Sequence, residues 1–199
     1  MRYKITPKAV LIPTISLFLI CLVVTAALAL TNNVTADKIA SNELESKNQS
    51  MKNVCPDADE FVEIIPDVLY EGRDSSGAVV GYAVSTAAQG YGGQVKVMTG
   101  IKDGVIIGVD VFYNDDETPG LGKNTSNESF RDQFKGLDVN TKIVVSKDNQ
   151  SGNAQTVDAV TSATISSRAV TKAVNEAVEI YVGTINDAGV SDIEIKEGE

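Results

Sequence analysis

Histidine and tryptophan are absent from this 199-residue chain, and cysteine occurs only twice. Without histidine, Ser-His and Cys-His nucleophilic catalysis, His-ligated zinc and His-held haem are excluded. Two cysteines cannot supply the four thiolates of an ordinary iron–sulfur cluster. Basic residues are also scarce, with 17 Lys and Arg against 27 Asp and Glu, a formal charge of −10. The first thirty residues hold three of the basic groups and no acidic one, so the remainder carries 14 − 27 = −13. A surface that negative repels phosphate backbones, so no nucleic acid is expected as a partner. What the chain does have is 43% apolar residues, enough for a core, and a length that fits one domain plus an appendage. Any redox chemistry here must use an organic cofactor, because the usual metal ligands are missing.

The appendage is at the amino terminus. Residues 9–30 run for twenty-two positions without a charge. About 20 apolar residues span the hydrocarbon core as a helix. Arg2, Lys4 and Lys8 precede the run, and the positive-inside bias keeps residues 1–8 in the cytoplasm. A cleaved signal peptide is the competing reading, with Ala27-Leu28-Ala29 as a passable cleavage site. Its apolar region is usually only about 7–15 residues, so a retained single-pass anchor over residues 9–30 is the expectation. Pro13 falls near the first turn, where a missing N–H costs little. Cys21 follows Ile20 rather than a small residue, which argues against lipid modification. Cys55 is then the sole thiol outside the membrane, and no intrachain disulfide is expected.

Residues 31–53 are polar and read as a juxtamembrane spacer, helical near 36–47, with an extracytoplasmic domain over 54–184 and an acidic tail over 185–199. Acidic residues at the start of 57–65 suit a helix amino terminus, and Pro66 ends that helix. Strands are predicted at 68–70, 79–86, 94–101 and 105–113, with Lys102-Asp103-Gly104 as a tight hairpin turn. A short helix at 129–135 puts Phe130 and Phe134 on one face, and 143–145 and 156–157 are short strand candidates. Apolar residues from Ile165 to Tyr181 recur at three and four positions, an amphipathic helix ended by Gly183. The expected fold is α+β: a small antiparallel sheet with flanking helices, preceded by one transmembrane helix.

Two clusters can carry chemistry. Residues 158–167 hold five hydroxyl side chains where a strand hands over to the long helix: Thr161, Ser162, Thr164, Ser166 and Ser167. A helix amino terminus presents free N–H groups and suits a phosphate. Small residues at Ser162 and Ala163 let a bulky ligand approach the backbone. Taken alone, the same spacing also fits simple helix capping. The second cluster is Glu117-Thr118-Pro119-Gly120-Leu121-Gly122, which follows Asp115 and Asp116. Pro-Gly marks a turn, and the spacing does not make a calcium loop, so no metal is expected. Gly90-Tyr91-Gly92-Gly93 is a third glycine-rich turn, outside the strand-to-helix setting of a dinucleotide fingerprint.

Residues 158–164 resemble the flavinylation signature of FMN-binding domains: Asp, two variable residues, Ser/Thr, Gly/Ser, Ala and Thr. Ser162 stands where Gly is more frequent. GYGG at 90–93, VMTGI at 97–101, ETPGLG at 117–122 and FRDQF at 130–134 occur in the expected order. The whole chain resembles the G subunits of Rnf electron transport complexes, which are ion-translocating ferredoxin:NAD oxidoreductases. The related C subunits of sodium-translocating NADH:quinone reductases share both motifs but are usually longer. Asn114-Asp115-Asp116 departs from the many relatives that carry a His before the Glu.

The resemblance implies a membrane-bound electron-transfer subunit that relays electrons through covalent FMN and does not turn over a substrate alone. Its FMN would be joined as a phosphoester to Thr164, made outside the cytoplasm by a flavin transferase. Asp158 would serve transferase recognition or loop geometry. Glu117, Thr118, Gly120, Leu121 and Gly122 would pack near the flavin, beside Thr161, Ser162, Ala163, Ser166 and Ser167. Partners would be the other Rnf subunits and the membrane. A free-standing tethered flavoprotein, or a non-redox tethered binding module whose Ser/Thr loop only caps a helix, remain the alternatives.

Overall fold

The computed structural model describes residues 7–146 and 154–196. The chain divides into two compact units, residues 1–44 and 45–199. Helix α1 (Pro7–Val54) runs unbroken through the apolar stretch and the polar residues that follow. In the first unit its large apolar side chains, among them Leu11, Ile12, Phe18 and Leu28, are all exposed. The helix is long and apolar enough to cross a membrane. Hydroxyls in it satisfy themselves on the preceding turn, as Thr14 Oγ1 does by donating to the Val10 carbonyl at 2.8 Å.

The polar stretch was expected to be helical only near 36–47, but the helix continues to Val54. The reason is tertiary. Met51 and Val54 are buried with Cys55, Ala58, Tyr70, Ala83 and Met98 in a cluster on one face of the sheet. Gly100 makes that approach possible, since a Cβ there would lie 2.5 Å from the Val54 carbonyl oxygen. Asn53 Nδ2 donates to Asp110 Oδ2 at 2.9 Å, and Asp110 also pairs with Arg131. Lys47 donates to the Asp67 carboxylate at 3.1 Å, with its ammonium 5.2 Å from the centre of the Tyr70 ring.

The second unit is built on five strands, β1 (Glu60–Ile65), β2 (Leu69–Arg73), β3 (Val79–Gln89), β4 (Gln94–Lys102) and β5 (Val105–Tyr113). They lie side by side in sequence order, and every pairing is antiparallel. The helix predicted over 57–65 is instead strand β1, with Phe61 opposite Gly72 and Val62 opposite Glu71. β-branched and aromatic residues suit that edge, and pairing with β2 outweighs the acidic start that favoured a helix. Asp67 at φ 62° makes the turn between the two strands, and Val68 N–H donates to the Ile65 carbonyl at 3.0 Å. The predicted turn after Lys102 has Asp103 at φ 51° and Gly104 at φ 76°, the left-handed pair that a two-residue hairpin requires.

Beyond β5 come a 3₁₀ turn (Gly122–Ser126), the single-turn helix α2 (Glu128–Arg131) and a second 3₁₀ turn (Asp132–Phe134). The expected Phe130–Phe134 pair forms, edge to face with ring centres 5.6 Å apart. The short strands β6 (Ile143–Val145) and β7 (Gln155–Val157) pair with each other in parallel, apart from the main sheet. Helix α3 (Thr164–Lys196) does not stop at Gly183. One internal glycine costs only about 1 kcal/mol, and no proline follows to end the helix. Ala169, Ala173 and Ala177 lie four apart and are buried against the sheet. These small side chains let the helix come close enough for Thr86 Oγ1 to donate to the Ala173 carbonyl at 2.9 Å. The main core, with Val95, Val97, Ile106 and Phe134 against Val170 and Val174, lies between α3 and the sheet.

Candidate functional site

Three separate stretches of sequence converge on the first turn of α3. The β3–β4 hairpin closes through residues 90–93, with Gly90 N–H donating to the Gly93 carbonyl at 2.8 Å. After β5, Pro119 and Gly120 (φ 76°) occupy the middle of a turn in which Leu121 N–H donates to the Thr118 carbonyl at 3.1 Å. Proline followed by a left-handed glycine is what a type II turn requires. The turn leaves Glu117 pointing inward, only 2% exposed.

The Glu117 carboxylate ties the stretches together. Its Oε1 accepts from Tyr91 N–H at 2.7 Å and from Gly92 N–H at 3.4 Å, and its Oε2 accepts from Ser166 Oγ at 2.7 Å. Three donors compensate for burying a charge-bearing group. Gly90 and Gly122 make room for it, because a Cβ on either would lie 2.0 Å from a carboxylate oxygen. Asp115, by contrast, points outward to Lys123 at 3.0 Å. Among the described residues, no group of three or more acidic, Cys or His side chains is placed to hold a metal ion.

The loop before α3 is fastened at two points. The Gln133 side-chain amide pairs with the Asp158 backbone, accepting from its N–H at 2.7 Å and donating to its carbonyl at 3.3 Å. Ser167 Oγ accepts from Val160 N–H and donates to the Ala163 carbonyl, both at 3.0 Å. Ser162 sits between these points at φ 62°, a conformation that glycine adopts at no steric cost. The N–H groups of Thr164, Ile165 and Ser166 begin α3 and, as at any helix start, have no intrahelical partner.

A cavity of about 520 Å³ opens at this junction, within the roughly 300–1,000 Å³ usual for small-molecule sites. Glu117, Thr118, Leu121 and Gly122 line one side, and Ser162, Ala163, Thr164 and Ser166 line the other. Tyr91 and Ile165 complete it, and sequence reasoning did not place either at the site. The glycines flanking Tyr91 were the available signal. Three rim side chains are apolar and exposed, Tyr91 at 71%, Ile165 at 51% and Leu121 at 40%. Asp158, Thr161 and Gly120 instead line a neighbouring groove of about 500 Å³, which shares Leu121 and Ser162 with the cavity. Ser167 lines neither and is fully buried in its fastening role. Asp158 accepts from Ser146 Oγ at 2.8 Å.

The residues present fit FMN. Exposed apolar side chains suit a flat aromatic ring, and the start of α3 suits a phosphate. Ala163 adds no bulk where a ligand would approach the backbone. Thr164, half-buried on the cavity wall, offers a hydroxyl directly beside the first-turn N–H groups.

Residues 90–179 match the FMN-binding domain, and residues 1–54 match the RnfG N-terminal region. The chain is similar to the G subunit of the Na(+)-translocating ferredoxin:NAD(+) oxidoreductase complex of Acetobacterium woodii, 38% identical over 186 residues, covering 83% of this chain and 88% of that one. It is 34% identical to the proton-translocating counterpart of Clostridium ljungdahlii, over 83% of this chain and 86% of that one. The G subunit of the ion-translocating oxidoreductase complex of Methanosarcina acetivorans is also 34% identical, over 83% and 90%. Among solved structures, the C subunit of the Na(+)-translocating NADH-quinone reductase of Parabacteroides distasonis superposes with a TM-score of 0.49 at 22% identity, over 57% of this chain and 60% of that one. Through its relatives and its two matched regions, this chain belongs to the family of G subunits of ion-translocating ferredoxin:NAD oxidoreductase complexes.

Proposed function

We propose that this chain is the electron-transferring G subunit of a membrane-bound, ion-translocating ferredoxin:NAD oxidoreductase complex, and that it carries FMN joined through its phosphate to Thr164. The observation that carries the proposal is the cavity itself, which brings the 117–122 turn and the 162–166 helix start together around one half-buried threonine hydroxyl. When bound, FMN supplies one- and two-electron transfer, which this chain's own side chains cannot. The chain's residues bind and orient it. The first-turn N–H groups of α3 would hold the phosphate, and the rim of Tyr91, Leu121 and Ile165 would shield the ring from water. The Glu117 and Ser167 hydrogen bonds hold the walls in place before the cofactor arrives.

The apolar run of α1 anchors the subunit, and the basic residues before it favour placing residues 45–199 outside the cytoplasm. There a dissociable cofactor would be lost, whereas an ester keeps it. The ester requires a flavin transferase during maturation. Ion coupling requires the other, polytopic subunits of the complex, because one flavin on one anchor offers no ion path.

The test is co-expression with a flavin transferase. The wild-type band should fluoresce in a denaturing gel, and the adduct should map to the peptide between Lys147 and Arg168. Thr164→Ala should abolish the band while Ser162→Ala keeps it. A persistent band in the Thr164→Ala protein would refute the attachment site, and a dark wild-type band would refute the covalent flavin.

A further inference from the structure

The Glu117 side chain does more than fill space under the cavity, because all three of its hydrogen bonds lead to residues that line or border it. Through Oε1 it fixes the backbone of Tyr91, and through Oε2 it fixes Ser166, two residues from Thr164 in the same helical turn. Tyr91 and the acceptor threonine are therefore connected through a single buried carboxylate. A tyrosine in a turn with three glycines would otherwise be poorly ordered. Here its backbone is pinned while its ring, 71% exposed, stands at the cavity mouth. Trp is absent from the chain, and among the described residues no other tyrosine lines the cavity.

We propose that Tyr91 is the stacking residue for the flavin ring and that Glu117 is its positioning residue, setting the Tyr91 ring relative to Thr164. This rests on the reading of the cavity as the FMN site. A flat phenol ring offers a face that matches the isoalloxazine in a way that Leu121 and Ile165 cannot. The backbone bonds from Glu117 fix the main chain from which that ring projects at the cavity mouth. Only a side chain reaching both Tyr91 N–H and Ser166 Oγ can do this. Gln keeps an acceptor oxygen for the first and a polar group for the second. Asp is one methylene too short, and Ala removes both contacts.

A phenol ring in contact with a flavin quenches its emission, so contact can be read without measuring turnover. The full-length protein, flavinylated by its transferase and held in detergent, would be compared native and then denatured. Denatured emission counts attached flavin, and the native-to-denatured ratio reports the quench. The wild-type ratio should be low. Tyr91→Leu should raise it several-fold, and so should Tyr91→Phe, because Phe stacks but does not quench. Glu117→Gln should stay low, whereas Glu117→Asp and Glu117→Ala should rise towards Tyr91→Leu. Circular dichroism identifies a misfolded variant, and Glu117→Asp carries the test if Glu117→Ala does not fold. An unchanged ratio in Tyr91→Leu overturns the stacking role. A wild-type ratio in folded Glu117→Asp and Glu117→Ala overturns the positioning role. Absence of flavin from the denatured wild type is the separate failure of the FMN reading.

Discussion

A fragment beginning at Cys55 is expected to be far less stable than one beginning at Glu45, although neither contains the apolar run. The difference is the last three turns of α1. Met51 and Val54 are 8% and 2% exposed, and they cover Met98, Ala83 and Tyr70 on the sheet. Burial of a side chain of that size contributes about 1.5–3 kcal/mol, so the pair accounts for about 3–6 kcal/mol. The hydrogen bond from Asn53 to Asp110 and the Lys47 contacts with Asp67 each have one solvent-exposed partner, Asn53 and Asp67, and add little. A domain of this size has about 5–15 kcal/mol in total, so the loss is a large share of it. With a urea m-value near 2 kcal/mol/M, the midpoint should fall by roughly 2 M, and the short fragment can be largely unfolded in buffer. Urea titrations followed by far-ultraviolet circular dichroism measure the shift. Coincident curves for the two fragments would show that α1 beyond Leu44 is a spacer after all.

The Cys55 thiol is pushed up to about 12 from its usual 9.0, chiefly by burial, with the Asp57 charge adding and Lys102 opposing. Maleimide at pH 8 should leave it unmodified until the protein is unfolded, and rapid labelling of the native protein at Cys55, told from the exposed Cys21 by peptide mapping, would contradict its burial. The same shift has a sign for stability. Below about pH 9 both states keep the proton. Above it the unfolded thiol ionises first, so stability should fall by up to about 1.4 kcal/mol per pH unit until about pH 12, and Cys55→Ser should flatten that slope. At Ser162, φ 62° costs an L-residue about 1–2 kcal/mol, so Ser162→Gly should raise stability by up to about 1 kcal/mol after the extra freedom of unfolded glycine is counted. A melting temperature lowered by Ser162→Gly would mean that the hydroxyl matters more than the backbone.

The sequence alone determined the periodic elements and the identity of the motifs. Strands β4 and β5 were legible from the alternation at 94–97 and 107–111 and α3 from its three-and-four spacing, because each reflects a local repeat that packing follows. The apolar run over 9–30 was legible because length and lack of charge are all that a membrane span requires. The resemblance carried by residues 117–122 and 158–164 pointed to FMN before any geometry. What only the tertiary structure decided were the contacts between elements distant in sequence. Residues 60–65 became a strand because β2 offered a partner. Residues 48–54 remained helical because Gly100 leaves room for Val54, and nothing local to either segment signals that. The division of the 158–167 stretch is of the same kind. Ser166 meets a carboxylate 49 residues away, Ser167 fastens its own loop, and Thr164 alone of these three hydroxyl side chains is left for a ligand. Tyr91 entered the site for that reason too. A hairpin turn carries no sign of what it faces until the sheet and helix have brought Glu117 beneath it.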